Sequence, residues 1–230
     1  PLVAGLALGA MLIFGRRTWP AIAAGAFLVN LTTSRSLESS VLIAAGNTLE
    51  AFAAWWSVTR FANGCAVFQR ATTVFRFALA AALAPIIAAS IGTVSLRVFD
   101  LAAADVTASV WVTWWLGDAA GIVIVTPLIV MIARPPRHRW TMRRVTEFGG
   151  VLATVAAISW LVFADSFVGA HQYPVPFLAV PVLLWPAFRL GARETVVATV
   201  TMCAIAVWGT LHGYGPFVRT SPNESLLFLH

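Results

Sequence analysis

Of the 230 residues, 60% are hydrophobic and 10% charged, with 15 basic residues, all of them arginine, against nine acidic ones for a net charge of +6. Soluble domains carry about 25% charged residues, so this composition excludes a soluble enzyme, a disordered chain and a disulfide-stapled secreted domain. At roughly 20 apolar residues per crossing, the length allows about eight transmembrane helices.

Apolar runs broken by Arg, Gly and Pro predict eight segments: 2–14, 21–31, 41–59, 77–96, 110–132, 148–164, 175–188 and 196–211. None shows the period-two alternation of a β-barrel strand, so the expected fold is all-α, a polytopic helical bundle treated as one membrane domain over residues 1–230. The first, second and seventh segments are short, which predicts tilting or help from flanking residues. In the first, Gly5 and Gly9 have the spacing that lets helices approach closely. Trp19-Pro20 reads as the start of the second helix, since proline tolerates the first turn.

The third segment carries Asn47 and, one turn deeper on the same face, Glu50. The fifth carries Trp111, Trp114 and Trp115, then Asp118, Gly121 and Pro127. The tryptophans are expected in an interfacial belt, with Trp114 a candidate pocket wall one turn before Asp118. A carboxylate in mid-bilayer costs about 2.5–3.5 kcal/mol on insertion scales, so Glu50 and Asp118 are expected to face the bundle or a wet cavity. At 1.5 Å per residue, Asn47 and Asp118 both lie roughly 10 Å inside the same boundary. A structural role, hydrogen bonding between helices, competes with a ligand or proton site at all three positions. Pro127 is expected to bend its helix and free a carbonyl beside the cluster.

The connection at 134–144 is strongly basic and is expected to fix topology and meet anionic head groups. Trp185-Pro186 marks a kink or helix end, and His212-Gly213-Tyr214-Gly215-Pro216-Phe217 a tight turn, either a plain connection or a lid over an outward pocket. Residues 224–230 resemble the capped start of another apolar helix.

Arginines sort by connection. The loops after the first, third, fifth and seventh segments hold Arg16, Arg17, Arg60, Arg70, Arg76, Arg134, Arg137, Arg139, Arg143, Arg144, Arg189 and Arg193, whereas the others hold only Arg35, Arg97 and Arg219. A twelve-to-three split predicts that the Arg-rich loops are cytoplasmic. Both ends of the chain then fall outside, one in mid-helix, which leads to the expectation of at least one further span at each end. Cys65 and Cys203 lack CxxC spacing, the four histidines avoid the span centres, and no nucleophile elbow, HExxH or phosphate loop occurs. No catalytic residue, metal ligand or cofactor is therefore assigned. The basic balance belongs to topology rather than to nucleic acid.

These motifs taken together resemble the bacterial membrane-associated sensor domain family, first type. The resemblance rests on Gly15-Arg16-Arg17-Thr18-Trp19-Pro20 with Gly25 and Asn30, and on Gly46-Asn47-Thr48-Leu49-Glu50-Ala51 followed by Arg60. It continues through Trp114-Trp115-Leu116-Gly117-Asp118 with Gly121 and Pro127, and through Pro181, Trp185 and Arg189-Leu190-Gly191 to the Gly213 turn. It implies a membrane input module joined through a final helix to a cytoplasmic histidine kinase or diguanylate cyclase in the same chain. The expected partners are the bilayer, a small ligand or membrane protein and a second copy in a homodimer. Asn47, Glu50, Trp114 and Asp118 are the ligand-binding or signalling candidates. The competing reading is a secondary transporter or channel that uses Glu50 and Asp118 for ion or proton coupling. A pure anchor leaves the two carboxyls without a role.

Overall fold

The computed structural model describes residues 2–34, 36–133, 141–163 and 179–214. Its helices are α1 (Leu2–Phe14), α2 (Trp19–Ser34), α3 (Leu37–Phe61), α4 (Ala71–Leu83), α5 (Pro85–Val98), α6 (Thr107–Ala133), α7 (Met142–Phe163), α8 (Ala179–Arg189) and α9 (Ala192–Leu211), and no strand occurs among the described residues. Each expected segment has a helix among the described residues, the seventh from Ala179 onward, so the chain is an all-α membrane bundle. Among the described residues five stretches are long and apolar enough to cross a membrane: α3, α4 with α5, α6, α7 and α9.

The fourth segment is two helices. Pro85 has no N–H to donate to the turn before it, so α4 ends at Leu83 and α5 restarts with proline in its first turn. The Trp115 indole N–H donates to the Ala82 carbonyl at 2.7 Å, supplying a partner at the break. The indole of Trp111 donates to Ser90 Oγ at 3.1 Å. These two rings, stacked 6.0 Å apart, tie α6 to α4 and α5. In the bilayer an indole N–H with an internal acceptor has no need of the head-group layer.

The chain forms two compact units, residues 1–130 and 131–230. In the first, α3 is the central helix, packing on α1, α2, α4 and α5. Ser36 caps it by accepting the Ser39 N–H, and Glu38 lies in its first turn, where the helix dipole favours an acid. Gly46 admits Ile91 and the backbone of α5. Ala7 and Met11 of α1 pack on Ala51. The Cys65 thiol donates to the Leu12 carbonyl, and Arg76 to that of Phe61 at 2.9 Å. The arginine-bearing turns after α1 and α3 therefore meet at one end of this unit. Ser95 Oγ donates to Ser39 Oγ at the other.

In the second unit α7, α8 and α9 pack around Val155, Val162, Phe163, Ala198, Met202 and Ala206. Gly191, at φ +131°, makes the turn from α8 to α9 that other residues would strain to adopt. Residues 134–140, 164–178 and 215–230 lie outside the described ones. They include most of the basic connection, the start of the seventh segment, the end of the glycine turn and the apolar tail.

A side chain on Gly5 would overlap the Gly121 carbonyl oxygen, whereas nothing lies within 4 Å of the corresponding position on Gly149. Gly5→Ala is expected to destabilise the chain by about 1–3 kcal/mol, the scale of overpacking. Gly149→Ala should leave it unchanged or slightly stabilised. Mixed-micelle unfolding of the two variants checks this.

Candidate functional site

Glu50 is the fourteenth of the 25 residues of α3, and Asp118 the twelfth of the 27 of α6, so each sits near the middle of its helix. Both are buried, at 2% and 8% exposure. The fold brings their carboxyls within electrostatic reach of each other. Small residues surround the pair: Gly46 lies one turn before Glu50 against α5, while Gly117 and Gly121 flank Asp118.

Helix α1 forms the third wall. The carbonyl of Gly5 accepts a hydrogen bond from Thr126 Oγ1 at 3.1 Å, and Gly9 lies against Ile129. Threonine in a helix usually turns its hydroxyl to its own preceding turn, as Thr48 does to the Ala44 carbonyl at 2.7 Å. Thr126 instead reaches across to α1. Both glycine pairs expected to permit close packing are thus engaged in, or lie beside, the α1–α6 contact. Helix α6 runs on through Pro127.

Trp114 is half-buried with its six-membered ring against Gly92 of α5. Its side chain is also a hydrogen-bonding neighbour of the Asp118 carboxyl. Trp114 thus lies between Gly92 of α5 and the Asp118 carboxyl. Asn47 is half-buried on the turn of α3 before Glu50. Thr48 and Ala51 on that face are buried.

Among the described residues two buried side-chain atoms lack a hydrogen-bond partner, Ser159 Oγ in the second unit and Glu50 Oε1 here, and only the second belongs to an ionisable group. In an apolar interior such a group loses its water without compensation, which costs at least 1–3 kcal/mol and more when charged. A proton, a cation or an N–H donor arriving there gains more than it would in water. Two carboxyl groups can hold or exchange such a donor. Among the described residues no third His, Cys, Asp or Glu joins them as a metal-binding group.

The sequence reading missed a second polar cluster, in the second unit. Arg144, at the start of α7, donates through Nε and Nη2 to Glu194 Oε1 at 3.1 and 2.7 Å, and through Nη2 to the Leu190 carbonyl at 2.5 Å. Glu194, in the first turn of α9, is only 6% exposed. Arg144 thus serves as an internal clamp between helix ends, beyond the topological role expected of its basic loop. Nearby, Arg189 of α8 pairs with Glu147 of α7 at a more exposed position. The signal lay in the sequence as two acids among Arg-rich connections, at positions 147 and 194, but their partners are 42 and 50 residues away. His212 stacks on Trp208 with centroids 4.4 Å apart, at the end of α9.

The MASE1 family model matches residues 2–229 of the chain. No curated protein and no solved structure matches it.

Removing one partner of a buried ion pair strands the other. Glu194→Ala is expected to cost about 2 kcal/mol, below the ~3–5 kcal/mol of a fully enclosed pair, because Arg144 retains 23% side-chain exposure. The double change Arg144→Met with Glu194→Leu should recover most of that loss. Arg189→Met should cost under about 1 kcal/mol. Unfolding titrations in mixed micelles rank the three.

Proposed function

From the premise that this chain belongs to the MASE1 family, the membrane-associated sensor domains of histidine kinases and diguanylate cyclases, we propose that its 230 residues act as one sensory input module whose responsive site is the Glu50–Asp118 pair. The observation that carries this reading is the buried, unpartnered Oε1 of Glu50 beside a second buried carboxyl. Packing alone gives no reason to retain such a group. A stimulus that supplies a donor there stabilises whichever helix arrangement seats it, and only a difference in affinity between two arrangements can shift their balance.

Three helices meet at the pair, so the bias has a route. Glu50 is on α3, Asp118 on α6, and α1 is fastened to both through Ala51 and Gly121. The far ends of α1 and α3 converge with the Gly64–Gln69 turn beside Arg60, Arg70 and Arg76. By the positive-inside rule this arginine end faces the cytoplasm of a bacterial cell. A shift of α1 against α3 would be delivered to that side, where a kinase or cyclase output domain of the same chain would receive it, with a homodimer as the natural unit for such outputs. The ligand, or a partner protein, enters from the opposite half.

Cys65 is a built-in reporter, because its thiol holds the end of α1 through the Leu12 carbonyl. Glu50→Gln and Asp118→Asn should each change the maleimide labelling rate of Cys65 in proteoliposomes by about threefold or more, in the same direction, with helicity intact. Both should also alter output in the natural full-length protein. Unchanged labelling and output in both variants would overturn the reading. Proton flux through wild-type proteoliposomes that Glu50→Gln abolishes would replace it with secondary transport.

A further inference from the structure

A cleft of about 640 Å³ opens between α5 and α6, at the end of the first unit away from the paired arginine turns. That volume lies inside the ~300–1,000 Å³ of small-molecule sites. Its walls are mostly apolar, with Val94 on one side and Val112 on the other. Trp111 closes one side, held by its bond to Ser90 and its stack on Trp115.

The cleft has one charged lining residue. Arg97 donates to the Ala102 carbonyl at a long 3.3 Å, and among the described residues no ion pair engages it. A guanidinium carries five donors, so most of its capacity is uncommitted. Asp100 and Asp105 belong to the connection that follows, but neither lines the cleft. Thr107 and Ser90 add hydroxyls to the lining; Thr107 gives its proton to the Ala103 carbonyl, whereas Ser90 Oγ accepts from Trp111 and keeps its own proton to give. An apolar trough with one unpaired cation at its mouth, set near the end of membrane helices, is complementary to an apolar chain with one anionic head.

We propose that the α5–α6 cleft binds a single-chain amphiphile with a carboxylate head, a fatty-acid anion drawn from the bilayer. The head takes a bidentate grip from Arg97, whose planar fork matches a carboxylate. The chain lies along Val94 and Val112 against Trp111. One cation matches a monoanion, its planar fork grips a carboxylate bidentately, and a cleft of about 640 Å³ suits one acyl chain better than the two of a phospholipid. The proposal stands apart from the role given to Glu50 and Asp118. The two sites nevertheless share a helix: Trp111 of the cleft wall and Trp114 beside Asp118 are one turn apart, and Trp114 rests on Gly92 of α5.

The test uses the full chain in phosphatidylcholine nanodiscs with a palmitate analogue carrying a diazirine in its chain, and locates adducts by peptide mass spectrometry. Adducts should concentrate on residues 94–98 and 108–112 and be displaced by unlabelled palmitate. Arg97→Gln should lower their yield about tenfold, the scale of one lost bidentate bond. The matching fatty alcohol should label those residues weakly and equally in both proteins. Val112→Trp, which fills the trough and keeps the charge, should abolish labelling as well, so the result does not depend on one variant folding. Adducts spread evenly over the helices, or a yield insensitive to Arg97→Gln, would overturn the proposal. So would displacement by phosphatidylglycerol but not by palmitate, which would give the cleft to a phospholipid headgroup.

Discussion

The contact between α1 and α6, backbone against backbone at Gly5 and Gly121, is the constraint on which the first unit depends. Without water, helices in a membrane associate by close packing and by whatever hydrogen bonds they can share. The Gly5 carbonyl does both, touching α6 and accepting from Thr126. Only because that approach is so close can α1 also reach Ala51 of α3. The three helices then enclose two carboxyls that would be untenable on a lipid-facing surface.

Within each unit, the need to pair polar groups away from water orders the rest of the polar inventory. Trp111 and Trp115 give their indole protons to α5 and α4, so the break at Pro85 is bridged from α6. The Arg144–Glu194 pair joins α7 to α9 and also ties down the carbonyl of Leu190 at the tight turn. Arginine thus has several uses in one chain. At Arg76 it caps the end of a neighbouring helix, at Arg144 it is a half-buried clamp, and at Arg97 it is a cation with donors to spare. Glu50 is the exception to this economy: its Oε1 alone among the buried carboxyl oxygens described has no partner.

Much of this was legible beforehand. The spans followed from apolar runs, because a helix that crosses lipid must be apolar along its length. The same logic singled out Glu50 and Asp118, since acids in a span are rare enough to stand out. Their meeting was less legible: helical spacing relates Asn47 to Glu50 on one helix, but says nothing of which face of α6 turns toward α3. The Arg144–Glu194 clamp escaped notice for a similar reason. Acids near helix ends resemble ordinary loop charges until the fold buries one of them. Trp111 and Trp115 were read from position alone, and a belt residue and an interior donor share that position.

The sequence by itself determined that the chain is a helical membrane protein, where its spans lie, and which two acids those spans contain, because hydropathy and charge are local properties of residues. It carried the family motifs for the same reason. Only the tertiary structure decided that Glu50 lies within electrostatic reach of Asp118, that Pro85 divides the fourth span, and that Arg97 opens onto a cleft while Arg144 is clamped. Those outcomes depend on how helices rotate and how closely glycine lets them approach, quantities set by contacts between residues tens of positions apart.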